Sequence, residues 1–238
     1  MFRHLLCLIV ALACGGPALA DPGYYLLTPY GQAGQWTLDA RYWTVKAPGE
    51  AATLWPELGL RYGVDSRWTT ELLASFIGDS LRHQRLSSLN WQNAYLLTHG
   101  ERAFDLAVHA QLIRENGEAT SLEIGPLLQT DIGATQFNAN LVFEHSWPSS
   151  DGTQLKYQWQ LLHRLQPGLR LGLQGFGELG RWDHWAPRDQ QSHRAGPALF
   201  GVLPIGSGTS LLCQAAILWG STYARHGDMF SLRAQLAF

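Results

Sequence analysis

From Trp36 to Phe238, apolar residues recur at every second position, and each run ends in a cluster of Gly, Pro, Asp, Asn or Ser. Trp36, Leu38, Ala40 and Tyr42 share one face of the first run, and Thr37, Asp39 and Arg41 share the other. The same division sets Leu58, Leu60, Tyr62 and Val64 against Glu57 and Arg61, then Trp68, Thr70, Leu72, Ala74 and Phe76 against Glu71. Further on, Phe104, Leu106, Val108 and Ala110 oppose Asp105 and His109, and Leu155, Tyr157, Trp159 and Leu161 oppose Lys156, Gln158 and Gln160. A period of two sustained in this way predicts β-strands with one apolar and one polar face. Twelve strands follow, near 36–46, 53–64, 68–77, 86–97, 103–113, 120–130, 134–145, 153–164, 168–180, 193–204, 208–219 and 228–238.

The connections after even-numbered strands read as short and those after odd-numbered strands as longer, up to the stretch from Arg181 to Ser192. An even strand count, alternating connections and a last strand closing on Phe238 predict an all-β fold, a transmembrane antiparallel up-and-down β-barrel of 12 strands. Ten residues rising about 3.3 Å each, tilted by about 40°, span roughly 25 Å, the height of the apolar band such barrels turn to lipid. A soluble periplasmic barrel or sandwich would show the same period with the apolar face inward. Composition separates the two, because charged residues are only 15% of the chain, against about a quarter in soluble domains. Asn93 and Pro197 fit the lipid-facing parity worst, and a bulge or a non-lipid neighbour is expected there.

The first residues interrupt the pattern. Arg3, the apolar stretch Leu5 to Cys14, the break at Gly15-Gly16-Pro17 and the Ala18-Leu19-Ala20 site form a signal peptide over 1–20. A short periplasmic segment over 21–35 then precedes the barrel over 36–238. The alternative is lipoprotein processing at Cys14, with an alanine where a bulky aliphatic is usual. Cleavage after Ala20 leaves 16 bases against 19 acids, a net charge of −3, and Cys213 as the one thiol. That rules out an internal disulfide, and the near-neutral balance argues against a nucleic-acid partner.

Turning the polar faces inward places Asp39, Glu57, Glu71, Asp105, Glu123, Glu144 and Glu178 in the lumen with Arg41, Arg61, Lys156, Arg170, Arg194, Arg233 and His109. Hairpin symmetry sets Arg41 opposite Glu57, Arg61 opposite Glu71, His109 opposite Glu123 and Glu144 opposite Lys156. Cross-strand pairs of this kind offset one another's desolvation, which makes a structural polar core. A selectivity lining would instead carry one sign. Trp43, Trp55, Ile77 and Phe176 also take lumen parity toward the longer loops. Two readings fit them: a mouth for an apolar or aromatic solute, or an apolar plug packing the loop from Arg181 to Ser192. Twelve strands leave a narrow, partly filled bore.

Catalysis needs a nucleophile, a histidine and an orienting group. His145, Ser149 and Asp151 fall around one long loop, and Asp183, His184, Ser192 and His193 around the next, with no spacing that marks a hydrolase. His83, His145, His184, His193 and His226 would share the outer rim without Cys or paired carboxylates to hold a metal. No catalytic set, metal site or cofactor is expected.

The run His193-Arg194-Ala195-Gly196-Pro197-Ala198-Leu199-Phe200-Gly201, the strand ending Leu218-Trp219-Gly220 and the terminal strand closing on Phe238 resemble the outer-membrane barrel family labelled as transporters of the MetA pathway of phenol degradation. The resemblance covers about the last 50 residues by motif and the rest by strand pattern. It implies a channel-like protein of the bacterial outer membrane for hydrophobic or aromatic compounds and supplies no catalytic residues. The expectation is therefore a passive channel or transporter for small apolar solutes with periplasmic termini. Its partners would be outer-membrane lipids, the barrel-assembly machinery acting on the strand that ends at Phe238, and the solute itself. A structural or surface-interaction role and a lipid hydrolase are the alternatives.

Overall fold

The computed structural model describes residues 25–238 except 29, 50–51, 117–119, 148–149, 207 and 223–224. The expected signal peptide with Cys14, and Ser149, lie outside the described residues. Twelve long strands follow one another: β1 (Trp36–Lys46), β2 (Thr53–Gly63), β3 (Trp68–Ser80), β4 (His83–Leu96), β5 (Asp105–Glu115), β6 (Thr120–Ile132), β7 (Thr135–Trp147), β8 (Gln154–Gln166), β9 (Leu169–Arg181), β10 (Ser192–Pro204), β11 (Ser210–Thr222) and β12 (Arg225–Ala237). Each pairs antiparallel with its chain neighbours, and β1 pairs with β12 from Thr37↔Ala237 to Lys46↔Asp228, so the sheet closes. At the seam the Trp36 N–H donates to the Phe238 carbonyl at 3.1 Å, and the Phe238 N–H returns the bond at 2.9 Å. A two-residue ribbon, His184–Trp185, folds back on β9 outside the barrel. Closure leaves no strand edge, which lets a sheet enter hydrocarbon.

The outer face is apolar around the barrel. Leu58, Leu72, Leu89, Trp91, Ile124, Leu141, Leu171, Leu173 and Ile217 are all exposed, Leu72 to 64%. A continuous apolar surface of this kind is costly in water and matched to lipid. Aromatic side chains gather toward both rims. Trp36 and Tyr62 pack 4.6 Å apart at the end that carries the termini, and Tyr42 and Phe230 lie 6.4 Å apart toward the opposite end.

The connections are less lopsided than the sequence predicts. Only Leu81 and Arg82 join β3 to β4, because pairing continues past the apolar alternation through Ile77↔Arg85, Gly78↔Gln84 and Ser80↔His83. At the other end, residues 97–104 make a long link between β4 and β5. Strand pairing rests on backbone bonds and needs no apolar face, so it runs beyond the reach of the alternation. The end with the termini is called the turn end below, and the other the loop end.

The two misfit positions have separate explanations. Asn93 does face outward, where its side-chain oxygen accepts the Trp68 indole N–H at 3.1 Å. Pro197 also faces outward, and the expected bulge is absent: the register is the same at Ala195↔Trp219 and Ala198↔Ala216, with the intervening ladder missing. The same device occurs on β6, where Gly125-Pro126 interrupts the ladder between Ile124↔Phe143 and Leu127↔Asn140. Proline supplies no N–H, and the glycine before it lets the next strand close in. A Cβ on Gly196 would stand 2.0 Å from the Ile217 carbonyl oxygen, and one on Gly125 would stand 1.8 Å from that of Leu141. Gly196→Ala and Gly125→Ala are therefore expected to force strands apart at a cost of about 2–4 kcal/mol. Urea unfolding of protein in lipid vesicles, followed by tryptophan emission, should show the loss, and unchanged midpoints would refute it.

Candidate functional site

The chemistry of the molecule lies inside the barrel. Strands β12, β1, β2 and β3 form a charged wall centred on Arg41, which makes contacts of 2.9 Å to Asp39, 2.9 Å to Glu71 and 3.7 Å to Glu57. Arg61 approaches Glu71 at 3.0 Å, and Arg233 reaches across the closure seam to Asp39 at 2.5 Å. Ser75 donates to Glu57 at 2.8 Å, and Gln235 donates to Asp39 at 3.2 Å. The Arg41, Asp39, Glu57 and Glu71 side chains are no more than 2% exposed. Such groups are tolerable only when every charge has partners, and here three arginines and three acids interlock.

A second cluster sits across the bore. Lys156 lies 2.6 Å from Glu144 and 3.1 Å from Glu123, and His109, fully buried, has its Nε2 atom 3.8 Å from Glu123. Nearby, Arg194 meets Glu178 at 2.5 Å. Of the four hairpin pairs read from the sequence, Arg41 with Glu57 and Arg61 with Glu71 stand directly opposite. His109 is level with Gly125 and Lys156 with Val142, so the contacts of His109 with Glu123 and of Lys156 with Glu144 are diagonal, because each of those turns is offset by two residues from the symmetric hairpin.

The third component is a row of amides. Asn138 donates to Gln160 at 3.3 Å, Gln160 to Gln174 at 2.9 Å, and Gln214 to the same Gln174 oxygen at 2.8 Å. This row runs from β7 to β11 past Ala198, whose small side chain leaves the gap that Gln214 crosses. The alternation in the sequence places Gln160 on the inner face but shows no row, because amides are acceptable anywhere on a polar face.

Of the segment before β1, Tyr25 to Thr28 and Tyr30 lie inside the barrel, and residues 31–34 are exposed at the turn end. Tyr25, Leu26 and Leu27 are buried, and Tyr25 and Leu27 pack with Ala94, Leu96, Ala107, Leu127 and Val142. The Arg41 guanidinium sits 3.8 Å from the centre of the Tyr25 ring, a cation–π contact out of water. The Leu27 N–H donates to Gln158 at 3.1 Å, its carbonyl accepts from Asn140 at 2.9 Å, and the Tyr30 hydroxyl donates to Asp105. Burial and the Asp105 carboxylate push the Tyr30 phenol above its ordinary pKa, so it keeps the proton it donates. The signal that marks this insertion is the apolar run Tyr24-Tyr25-Leu26-Leu27, outside any alternating strand.

The inserted segment divides the space in the bore. On the turn-end side is a cavity of about 290 Å³ lined by Thr28, Tyr30, Arg61, Gln136, Gln160, Arg170, Gln214 and Arg233 among others. Beyond Tyr25 and Leu27, bordered by Glu123, Lys156, Phe176, Glu178 and Arg194, about 40 Å³ remains.

Trp43, Trp55, Ile77 and Phe176 do come together. The two indoles stack at 4.1 Å and 5°, and Phe176, Val45, Leu218 and Met229 complete a buried cluster against which Ile77 packs. Its members are strand residues, whereas Trp182 and Trp185 of the long loop are more than half exposed, Trp182 edge-on to Phe143. The loop from Arg181 to Ser192 therefore does not pack on the cluster as one expectation had it. The barrel wall itself supplies enough apolar inward positions to close the cluster.

The rim histidines find local partners. His145 lies 3.2 Å from the Thr153 hydroxyl, and His193 lies 2.9 Å from both the Tyr157 hydroxyl and the Gln191 side-chain oxygen. Asp183 is held by Arg181. Among the described residues, no three His, Cys, Asp or Glu side chains gather as metal ligands.

No protein-family model matches this chain, and no curated protein matches it. Solved structures do. An outer membrane channel from Pseudomonas putida F1 superposes with a TM-score of 0.61 at 13% identity, covering 92% of this chain and all of that one. The NanC porin gives 0.60 at 9% identity, covering 84% and 98%. The fold is that of an outer-membrane β-barrel. At such identities the likeness concerns architecture, and the lumen described above is this chain's own.

Removing Arg41 would take the cationic partner from buried Glu57, leave Asp39 to Arg233 and Glu71 to Arg61, and free the Tyr25 ring. Arg41→Ala is expected to destabilise the folded barrel by about 3–5 kcal/mol, whereas Arg41→Lys, which keeps the charge, should lose less. Unfolding midpoints in vesicles at neutral pH measure both, and equal midpoints for wild type and Arg41→Ala would disprove the central role of this residue.

Proposed function

We propose that the protein is an outer-membrane channel for small polar solutes, with its turn end facing the periplasm and Tyr25 to Thr28, with Tyr30, occupying the bore in its closed state. The observation that carries this reading is the polar cavity of about 290 Å³ within a closed barrel whose outer face is built for lipid. The fold shared with the Pseudomonas putida channel and the NanC porin supports it. So does the sequence resemblance to the transporter family of the MetA pathway, a label that rests on the Gly-Pro strand and the overall pattern.

An apolar or aromatic solute was the expectation from Trp43, Trp55, Ile77 and Phe176. Trp43, Trp55 and Phe176 are at most 3% exposed and fill one another's surface, so as they stand they offer little to a solute. The open space is bordered mainly by amides, hydroxyls and guanidinium groups, which favours a polar one. The strand ending at Phe238, paired at the seam, is the segment we assign to recognition by the assembly machinery. A structural role is the second reading, favoured by the small space left beyond Tyr25.

Planar-bilayer recording separates the two. Wild-type protein should conduct rarely, and the double variant Tyr25→Ala, Leu27→Ala, which removes the ring on Arg41 and the contacts at Ala107 and Leu127, should conduct for a several-fold larger fraction of time. If neither protein passes current, the channel reading fails and the structural one stands.

A further inference from the structure

The lumen's charges cancel in total but not in place. The turn-end cavity is lined by Arg61, Arg170 and Arg233 and by no carboxylate. Two of these guanidinium groups are answered one layer deeper, Arg61 by Glu71 and Arg233 by Asp39. Arg170 is different: it donates to the amide oxygen of Gln136, and the residue opposite it on β8 is another base, Arg164. Among the described residues no carboxylate makes an ion pair with either. Two acids on the strands of this end make no ion pair with Arg170. Asp105 on β5 is taken up by Tyr30, Thr98 and the Gly100 N–H, and Asp131, in register with Gln136 and near Tyr30, is exposed at the end of β6.

Like charges in register across two strands repel, and an amide oxygen offsets a guanidinium less than a carboxylate does. The arrangement is therefore short of one anion. Around it stand Gln136, Gln160 and Gln214, groups that pair with hydroxyls as readily as with one another. A cavity of this size is at the lower limit of small-molecule sites.

We propose that the turn end of the bore binds a small polyhydroxylated carboxylate, its acid group received by Arg170 with Arg164 at the rim and its hydroxyls met by Gln136, Gln160 and Gln214. The inference rests on the channel reading for its place along the solute's path, and it names the class of solute. It departs from the overall charge balance read from the sequence, which pointed to no selectivity. The cancellation comes from acids grouped around Arg41 and Lys156, away from this end.

The test is isothermal titration of the full-length protein in neutral detergent with gluconate, and with sorbitol as its uncharged counterpart. Gluconate should bind about ten- to a hundredfold more tightly than sorbitol, the range of a charge-assisted bond, and the preference should weaken as salt rises. Arg170→Gln should abolish the preference while leaving thermal unfolding unchanged. If that variant melts differently, Arg164→Gln, at the exposed rim, should still lower gluconate affinity several-fold. Equal binding of the two probes, absence of gluconate binding, or full retention of the preference in both variants would overturn the proposal. Bilayer conductance reports on the channel reading separately. Gluconate binding without conduction would keep the site and lose the channel, and conduction without preference for gluconate would do the reverse.

Discussion

A guanidinium held away from water inside a membrane barrel has to be answered by acids from several strands, and Arg41 is answered by Asp39, Glu57 and Glu71 from β1, β2 and β3. Arg233 joins the same Asp39 from β12, so the network spans the seam where first and last strands meet. Closure by backbone pairing alone would tolerate a slipped register, since a ladder is much the same one rung along. A shift of two residues keeps the faces right; in the direction that sets Arg233 opposite Trp43 it would carry Arg233 away from Asp39 and leave that guanidinium buried without its carboxylate, which costs several kcal/mol. The charge network thus disfavours a slip in that direction, and it also provides the cationic surface on which Tyr25 rests.

Much of this was legible in the sequence because a strand has a period of two and a hairpin pairs its arms symmetrically about the turn. Those two facts suffice for the twelve strands, for the inward position of Asp39, Arg41 and Glu71, and for the opposed pairs Arg41 with Glu57 and Arg61 with Glu71. They do not reach contacts that skip a strand or cross the seam. Arg41 meets Glu71 two strands away, and Arg233 meets Asp39 from the far end of the chain, so neither has a local signature. The insertion of Tyr25 to Tyr30 was hidden for a different reason: a short apolar run has no period, and its partners Asn140, Gln158 and Asp105 belong to three separate strands.

The lumen has two dissimilar walls, which gives the bore a direction. On the charged wall each group is locked by ion pairs, and a passing solute would have to compete with contacts already satisfied. On the amide wall, Asn138, Gln160, Gln174 and Gln214 exchange neutral hydrogen bonds worth about 1 kcal/mol each. Such bonds are easily traded for bonds to a hydroxyl. The Trp43–Trp55 stack closes the loop-end side with apolar contacts, and the turn end keeps the open volume. A polar solute would therefore find exchangeable partners at the turn end first.

Whether Tyr25 to Thr28, with Tyr30, can leave the bore depends on a near balance. Burying Tyr25, Leu26 and Leu27 contributes about 2 kcal/mol each. The ring on Arg41 adds about 1–2 kcal/mol, and the bonds at Leu27 and Tyr30 add about 1 kcal/mol apiece. That is roughly 10 kcal/mol in favour of the inserted state. Ordering the five described residues opposes it by about 1–2 kcal/mol each for backbone alone, with side-chain entropy in addition. The two sums lie within a few kcal/mol of each other, so modest competition for Arg41, Asn140 or Gln158 is enough to release the segment. The strands around it are a different case, because each is bonded along its length on both sides and cannot leave singly. The bore therefore combines a wall that opens only by global unfolding with an occupant held close to the point of release.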